Sequence, residues 1–131
     1  MRAAADWRGL VIAESLAEGS LPVTFCGRVV GREEHALDEA TPVVILEVTV
    51  AADDIERAVD QLAGRLRSPG WYAHFVKGDE MIIALPGEHT RLSRGDQTAL
   101  ARAQAAAARH GVPTSQMRFD EMFDVDHPDL A

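Results

Sequence analysis

The sequence predicts an α+β fold, an antiparallel sheet with two helices on one face, and three observations carry that reading. The run Pro42-Val43-Val44-Ile45-Leu46-Glu47-Val48-Thr49-Val50 is apolar on much of both alternating faces, as in a strand from the middle of a sheet. Asp54 to Arg67 places Ile55, Ala58, Val59, Leu62, Ala63 and Leu66 at i, i+3, i+4, i+7, i+8 and i+11, the single apolar stripe of an amphipathic helix. Trp71 to Leu85 then reads as two strands joined tightly at Gly78-Asp79. This β-α-β-β run is the first three-quarters of a ferredoxin-like β-α-β-β-α-β sandwich.

The remaining elements follow in chain order. Residues 1–8 read as a flexible lead-in. Gly9-Leu10-Val11-Ile12-Ala13 is an apolar run too short for a helix, and so a buried strand. Glu18-Gly19-Ser20-Leu21-Pro22 supplies a turn. Val23 to Arg32, broken by Gly27 and Gly31, is a weaker strand with a bulge or bend. Glu33 to Thr41 has no period and reads as a loop. Asp53 with Glu56 resembles a capping box at the start of the first helix, and Ser68-Pro69-Gly70 stops it.

Within the hairpin, a turn at Gly78-Asp79 sets Lys77 opposite Glu80, Val76 opposite Met81, His74 opposite Ile83 and Tyr72 opposite Leu85. Pro86-Gly87 turns the chain again, and His89 to Leu92 reads as a short return strand. Ser93 or Asp96 starts the second helix, rich in alanine, which stops at Gly111 with Pro113 beyond. Met117, Phe119, Met122 and Phe123 would supply a closing edge strand or an apolar clamp. The chain thus reads as one domain over residues 1–131, with two leading strands and a flexible end at 124–131. The sheet face away from the helices needs a cover, from the leading strands or from a second subunit.

Composition narrows the function. With 13 Lys and Arg against 21 Asp and Glu the net charge is −8, which disfavours nucleic acid and anionic membrane surfaces in the absence of a basic patch. The single cysteine, Cys26, excludes an internal disulfide and multi-cysteine metal sites; alone in a strand it reads as a small buried apolar residue. No apolar run reaches membrane-spanning length and no signal-peptide pattern opens the chain, so a cytoplasmic location is expected. The sequence contains no G-x-G-x-x-G, P-loop, H-E-x-x-H, G-x-S-x-G or C-x-x-C motif, and no cofactor is expected.

Two residues stand out chemically. His74, mid-strand beside Tyr72, can act as acid, base or ligand contact because imidazole titrates near neutrality; alternatively it is structural, bonded to a neighbouring carbonyl or carboxylate. Glu47, inside an apolar strand, must be solvated, paired or protonated. If its face lines a pocket it can fix a cationic ligand or act as a base. Glu14, just beyond the first apolar run, can meet either of them or simply be a strand-end carboxylate. Trp71 and Tyr72 offer flat apolar area with polar edges, suited to stacking on a ligand or to packing. Asp120, Glu121, Asp124, Asp126, His127 and Asp129 form an acidic tail without the spacing of a calcium loop, and no metal site is assigned to it. Glu88, His89 and Arg91 read as an exposed turn.

The blocks Trp71-Tyr72-Ala73-His74-Phe75 and Gly78-Asp79-Glu80-Met81-Ile82-Ile83 resemble a family of small bacterial and archaeal proteins whose function is unassigned. Gly9-Leu10-Val11-Ile12-Ala13-Glu14-Ser15-Leu16 and His110-Gly111-Val112-Pro113-Thr114-Ser115-Gln116-Met117-Arg118-Phe119 extend the similarity over most of the chain, while Ala84-Leu85-Pro86-Gly87 departs from it. The resemblance implies a stand-alone domain and brings no catalytic residues. The expectation is a small-molecule- or partner-binding homodimer whose site joins Glu14, Glu47, Trp71, Tyr72 and His74. The alternative is a small cofactor-free enzyme, an isomerase, lyase or monooxygenase of the dimeric α+β barrel type, using His74 with Glu47 or Glu14.

Overall fold

A computed structural model describes residues 6–36 and 42–123. In chain order they form β1 (Trp7–Ile12), β2 (Arg28–Ala36), β3 (Pro42–Val50), α1 (Ile55–Ala63), β4 (Ala73–Lys77), β5 (Glu80–Leu85), β6 (Glu88–Ser93) and α2 (Gln97–Arg109), with short 3-10 turns between. The fold is α+β, and the strands make one open antiparallel sheet in the order β2-β3-β1-β4-β5-β6.

That order differs from the expected ferredoxin-like sandwich. β1 sits between β3 and β4, antiparallel to both, so β3 and β4 run parallel and α1 is the crossover that joins them. The leading strand takes the centre because both its faces are apolar: Trp7 and Val11 point one way, Leu10 and Ile12 the other. No strand forms at Met117–Phe123. That segment instead folds into tight 3-10 turns that bury Met117, Phe119 and Met122, the clamp rather than the closing strand.

The helices lie on opposite faces of the sheet, where the sequence reading put them on one. Ile82 and Ala84 of β5 join Phe75, Val48 and Val11 in a core with Ile55, Ala58, Val59 and Leu62 of α1. Met81, Ile83 and Leu85, the alternate residues of the same strand, form a second core with Leu100, Ala103 and Ala107 of α2 and with Phe119. Successive strand side chains point to opposite faces, so β5 is covered on both. The alanines of α2 keep it close to the sheet, and Asp96 caps it by accepting a hydrogen bond from Ala99 N at 3.0 Å.

Element limits shifted where local chemistry outweighed pattern. α1 stops at Ala63, and Leu66 leaves the helix to bridge Leu16. Asp53 and Asp54 make no side-chain cap; a 3-10 turn over Ala52–Asp54 leads into the helix instead. β2 begins at Arg28 and reaches Ala36, with its irregularity between Val29 and Gly31. Trp7 and Arg8 belong to β1 rather than to a lead-in. Residues 1–5, 37–41 and 124–131, including the proposed flexible ends, lie outside the described residues. The β4–β5 register is as expected from Ala73↔Ala84 to Lys77↔Glu80, and the return strand is β6.

Candidate functional site

The two faces of the sheet are unequally covered. On the α1 side Val11, Leu46, Val48 and Val50 are buried, whereas on the other side of the same strands Leu10, Ile12, Ile45, Glu47 and Thr49 remain partly open. α2 covers only the β4-β5-β6 half of that second face. The boundary of the covered half runs along β4, past Tyr72 and His74.

At the end of this boundary lies a hollow of about 380 Å³ lined by Ile12, Pro69, Gly70, Trp71, Tyr72, Gly111, Pro113 and Gln116. Three chain segments build it: the end of β1, the lead-in to β4 and the exit from α2. Backbone hydrogen bonds fix them to one another. Arg67 N donates to Ser15 O and Ala17 N to Arg65 O, both at 2.8 Å, and Gly70 N donates to His110 O at 2.8 Å. Arg67 adds hydrogen bonds to the carbonyls of Leu16 and Ala17, each at 3.0 Å. Gly111 is required where the segments cross: its φ is +78°, and a Cβ there would stand 2.7 Å from Pro69 Cβ. A site held this way is formed before any ligand arrives.

Trp71 and Tyr72 diverge, as neighbours on an extended chain must. Trp71 packs against the α1-side core. Tyr72 packs edge-on against Phe119, ring centroids 5.6 Å apart at 74°, and its hydroxyl contacts Met122 Sδ at 3.9 Å. Both still border the hollow, one on each side of the chain.

His74 is 5% exposed on the second face. It stands between Leu10 and Ile83, and Leu10 in turn stands between His74 and Glu47. Imidazole and carboxylate therefore share one cross-strand row of one face, with a strand between them and backbones about 10 Å apart. Glu47 is partly solvated and accepts a hydrogen bond from Arg8 Nε at 2.8 Å. Glu14 goes elsewhere: its carboxylate accepts from Val44 N at 2.9 Å, continuing the β3 ladder past the end of β1. The expected five-residue site thus separates into a Trp71–Tyr72 hollow, an adjoining His74–Glu47 row, and Glu14 in a backbone role. Ile12, Gly70, Gly111, Pro113 and Gln116 stand in the sequence as strand, turn or family-block residues and not as site candidates. Gly70 and Gly111 carried a turn signal, but no local pattern announces that two turns meet.

A second hollow of about 500 Å³ lies among Asp60, Ala63, Gly64, Gly87, Glu88 and His89. Its lining contains no Trp, Tyr or Phe. His110 Nε2 lies 2.6 Å from a Glu88 oxygen, and this contact, with the Arg109 guanidinium beside it, holds the Glu88 carboxyl below the usual carboxylate range. The sign follows: a lowered carboxyl stabilises the fold above its ordinary value of 4.5 and loses that contribution as pH falls through its own, lower value. Glu88→Gln is therefore expected to be less stable than the natural chain at pH 7, with the gap closing on acidification, as urea unfolding at stepped pH will read.

Cys26 is half-buried rather than fully buried. Its N–H donates to Gln61 Oε1 at 3.1 Å and its Sγ lies 3.5 Å from Asp54 O. Among the described residues no group of three or more His, Cys, Asp or Glu is arranged to hold a metal ion. Glu121 is engaged by Arg118 at 2.5 and 2.6 Å, while Asp124, Asp126, His127 and Asp129 lie outside the described residues. Among the described residues no helix is long and apolar enough to cross a membrane.

The class that fold and site define is an α+β domain with a preformed, aromatic-walled hollow beside a half-covered sheet face. Comparison with protein-family models, with curated proteins and with solved structures finds no match to this chain.

Proposed function

We propose that this chain is a small cytoplasmic ligand-binding domain whose ligand occupies the Trp71–Tyr72 hollow. The observation that carries the reading is the convergence of three separately anchored segments on one aromatic-walled cavity of about 380 Å³, within the size range of small-molecule sites. The larger hollow at Asp60 and Gly87 fits the role less well, because solvated charges and a turn line it.

The same reading includes a homodimer. The open half of the second face carries the half-buried Leu10, Ile12 and Ile45 together with charges of both signs, Arg8 and Glu47. Such a surface can match a second copy of itself across a two-fold axis, and Ile12 would then lie at the junction of interface and hollow. Light scattering is expected to give twice the 14.2 kDa of one chain; a single-chain mass would remove the dimer and leave the hollow in place.

Tryptophan emission tests the site. Trp7 is buried and Trp71 borders the hollow, so Trp7→Phe leaves Trp71 as the only reporter. Neutral aromatic fragments are expected to quench it saturably. Trp71→Ala, followed by a non-optical method, is expected to weaken their binding about tenfold or more, given the aromatic area removed. Unchanged affinity would overturn the reading.

A second reading rests on His74 and Glu47 sharing a row. In a cofactor-free isomerase, lyase or monooxygenase, His74 would move a proton and Glu47 would orient the substrate. The intervening Leu10 and the Arg8 pairing of Glu47 weigh against direct cooperation between the two. Once a ligand is known, His74→Gln separates the ideas: binding kept with turnover lost supports the enzyme, and unchanged turnover removes His74 from it.

A further inference from the structure

We propose that the occupant of the Trp71–Tyr72 hollow is a neutral planar ring bearing a carboxamide-like edge, an inference that rests on the hollow being the ligand site. Its lining contains no charged side chain. The nearest carboxylate along the chain, Glu14, is held by Val44 N, and Glu88, across the end of α2, is held by His110. A carboxylate ligand would lose its hydration here without gaining a cation, in a molecule whose net charge of −8 already repels it. An ammonium ligand would find no anion.

Among the uncharged polar groups of the lining, the Trp71 indole N–H only donates and the Tyr72 hydroxyl is directed at Met122 Sδ, whereas the Gln116 amide can donate and accept together. Gln116 closes a 3-10 turn, its N–H donating to Pro113 O at 2.9 Å, and Gln104 holds the following residue by donating to Met117 O at 3.1 Å. Gln116 is half-buried and lines the hollow. A primary amide offers one acceptor and two donors. A ligand amide satisfies acceptor and donor together in a paired contact; a carboxylate meets only the donor and an ammonium only the acceptor. The rest of the lining, Ile12, Trp71, Tyr72, Pro69 and Pro113, offers flat or rigid apolar surface suited to a ring.

The test uses the full chain carrying Trp7→Phe and three probes built on one phenyl ring and of similar size: benzamide, benzoate and benzylamine at pH 7. Benzamide is expected to quench Trp71 at concentrations about tenfold below those the other two need. Gln116→Leu is expected to weaken benzamide about tenfold, the combined worth of the two net hydrogen bonds of the paired contact, and to erase its advantage. Gln116→Glu, which keeps the side-chain shape, is expected to turn the preference toward benzylamine. Equal or tighter binding of benzoate or benzylamine, or a benzamide preference that survives both substitutions, would overturn the inference. If none of the three binds while other fragments enter the hollow, the ligand class is wrong and the site stands. If no fragment of any kind enters it, the site itself falls.

Discussion

Phe119→Ala is expected to lower the unfolding free energy by about 3–5 kcal/mol and the melting temperature by roughly 10–20 °C. Phe119 is fully buried although it sits on a turn rather than on a helix or strand. It fills the space between α2 and the second face of β5, with Met117, Met122, Ile83 and Leu85 in the same core and Tyr72 edge-on to its ring. Removing the ring leaves a cavity that the 3-10 turns around it are too constrained to close. It also frees Tyr72, so ligand affinity should fall along with stability. A loss below about 1 kcal/mol by urea unfolding would mean that Met117–Phe123 does not pack on α2 and the sheet as described.

Gly9→Val is expected to cost about 3 kcal/mol or more, the upper range for overpacking. Gly9 faces Phe75 in the register of β1 with β4. A Cβ at position 9 would meet two carbons of the Phe75 ring at 2.5 Å and Val48 Cγ2 at 3.0 Å. Phe75 is fully buried between β1 and α1 and cannot swing aside. The aromatic ring covers the glycine, and the glycine leaves room for the ring. The two sites must therefore be coupled: Gly9→Ala combined with Phe75→Leu should lose less than the sum of the single changes. Additive losses in chemical denaturation would contradict this packing.

Much of the fold is legible in the residues, and the failures have physical causes. The stripe from Ile55 to Leu62, the Gly78-Asp79 turn and the Asp96 start of α2 are local signals, and each produced the element expected. Topology is not local. Nothing near Gly9 states that its strand enters between β3 and β4, since that depends on which apolar strands bury most together. One overlooked clue lay in plain sequence: Met81-Ile82-Ile83-Ala84-Leu85 is an unbroken apolar run, and a strand buried on both faces needs a helix on each. That run argues against two helices on one side.

The candidate site divides in the same way. Trp71, Tyr72 and His74 were visible as unusual residues on one strand, and they do line or adjoin the hollow. Glu14 looked like chemistry and serves the backbone, because β3 outlasts its neighbour and leaves Val44 N without a strand partner. Gln116 carries no chemical signal of its own beyond standing in a block of family resemblance. Its place beside Trp71 comes from Gly70 N bonding His110 O, a contact between residues far apart in the chain.

The most direct measurement is a titration of the ¹⁵N-labelled chain with a mixture of neutral aromatic fragments, followed amide by amide. Shifts concentrated at Ile12, at Gly70–Tyr72 and at Gly111–Gln116 are the predicted result. Shifts centred on Asp60–Gly64 and Gly87–His89, or no saturable shift anywhere, would contradict the proposal that ligand recognition resides in the Trp71–Tyr72 hollow.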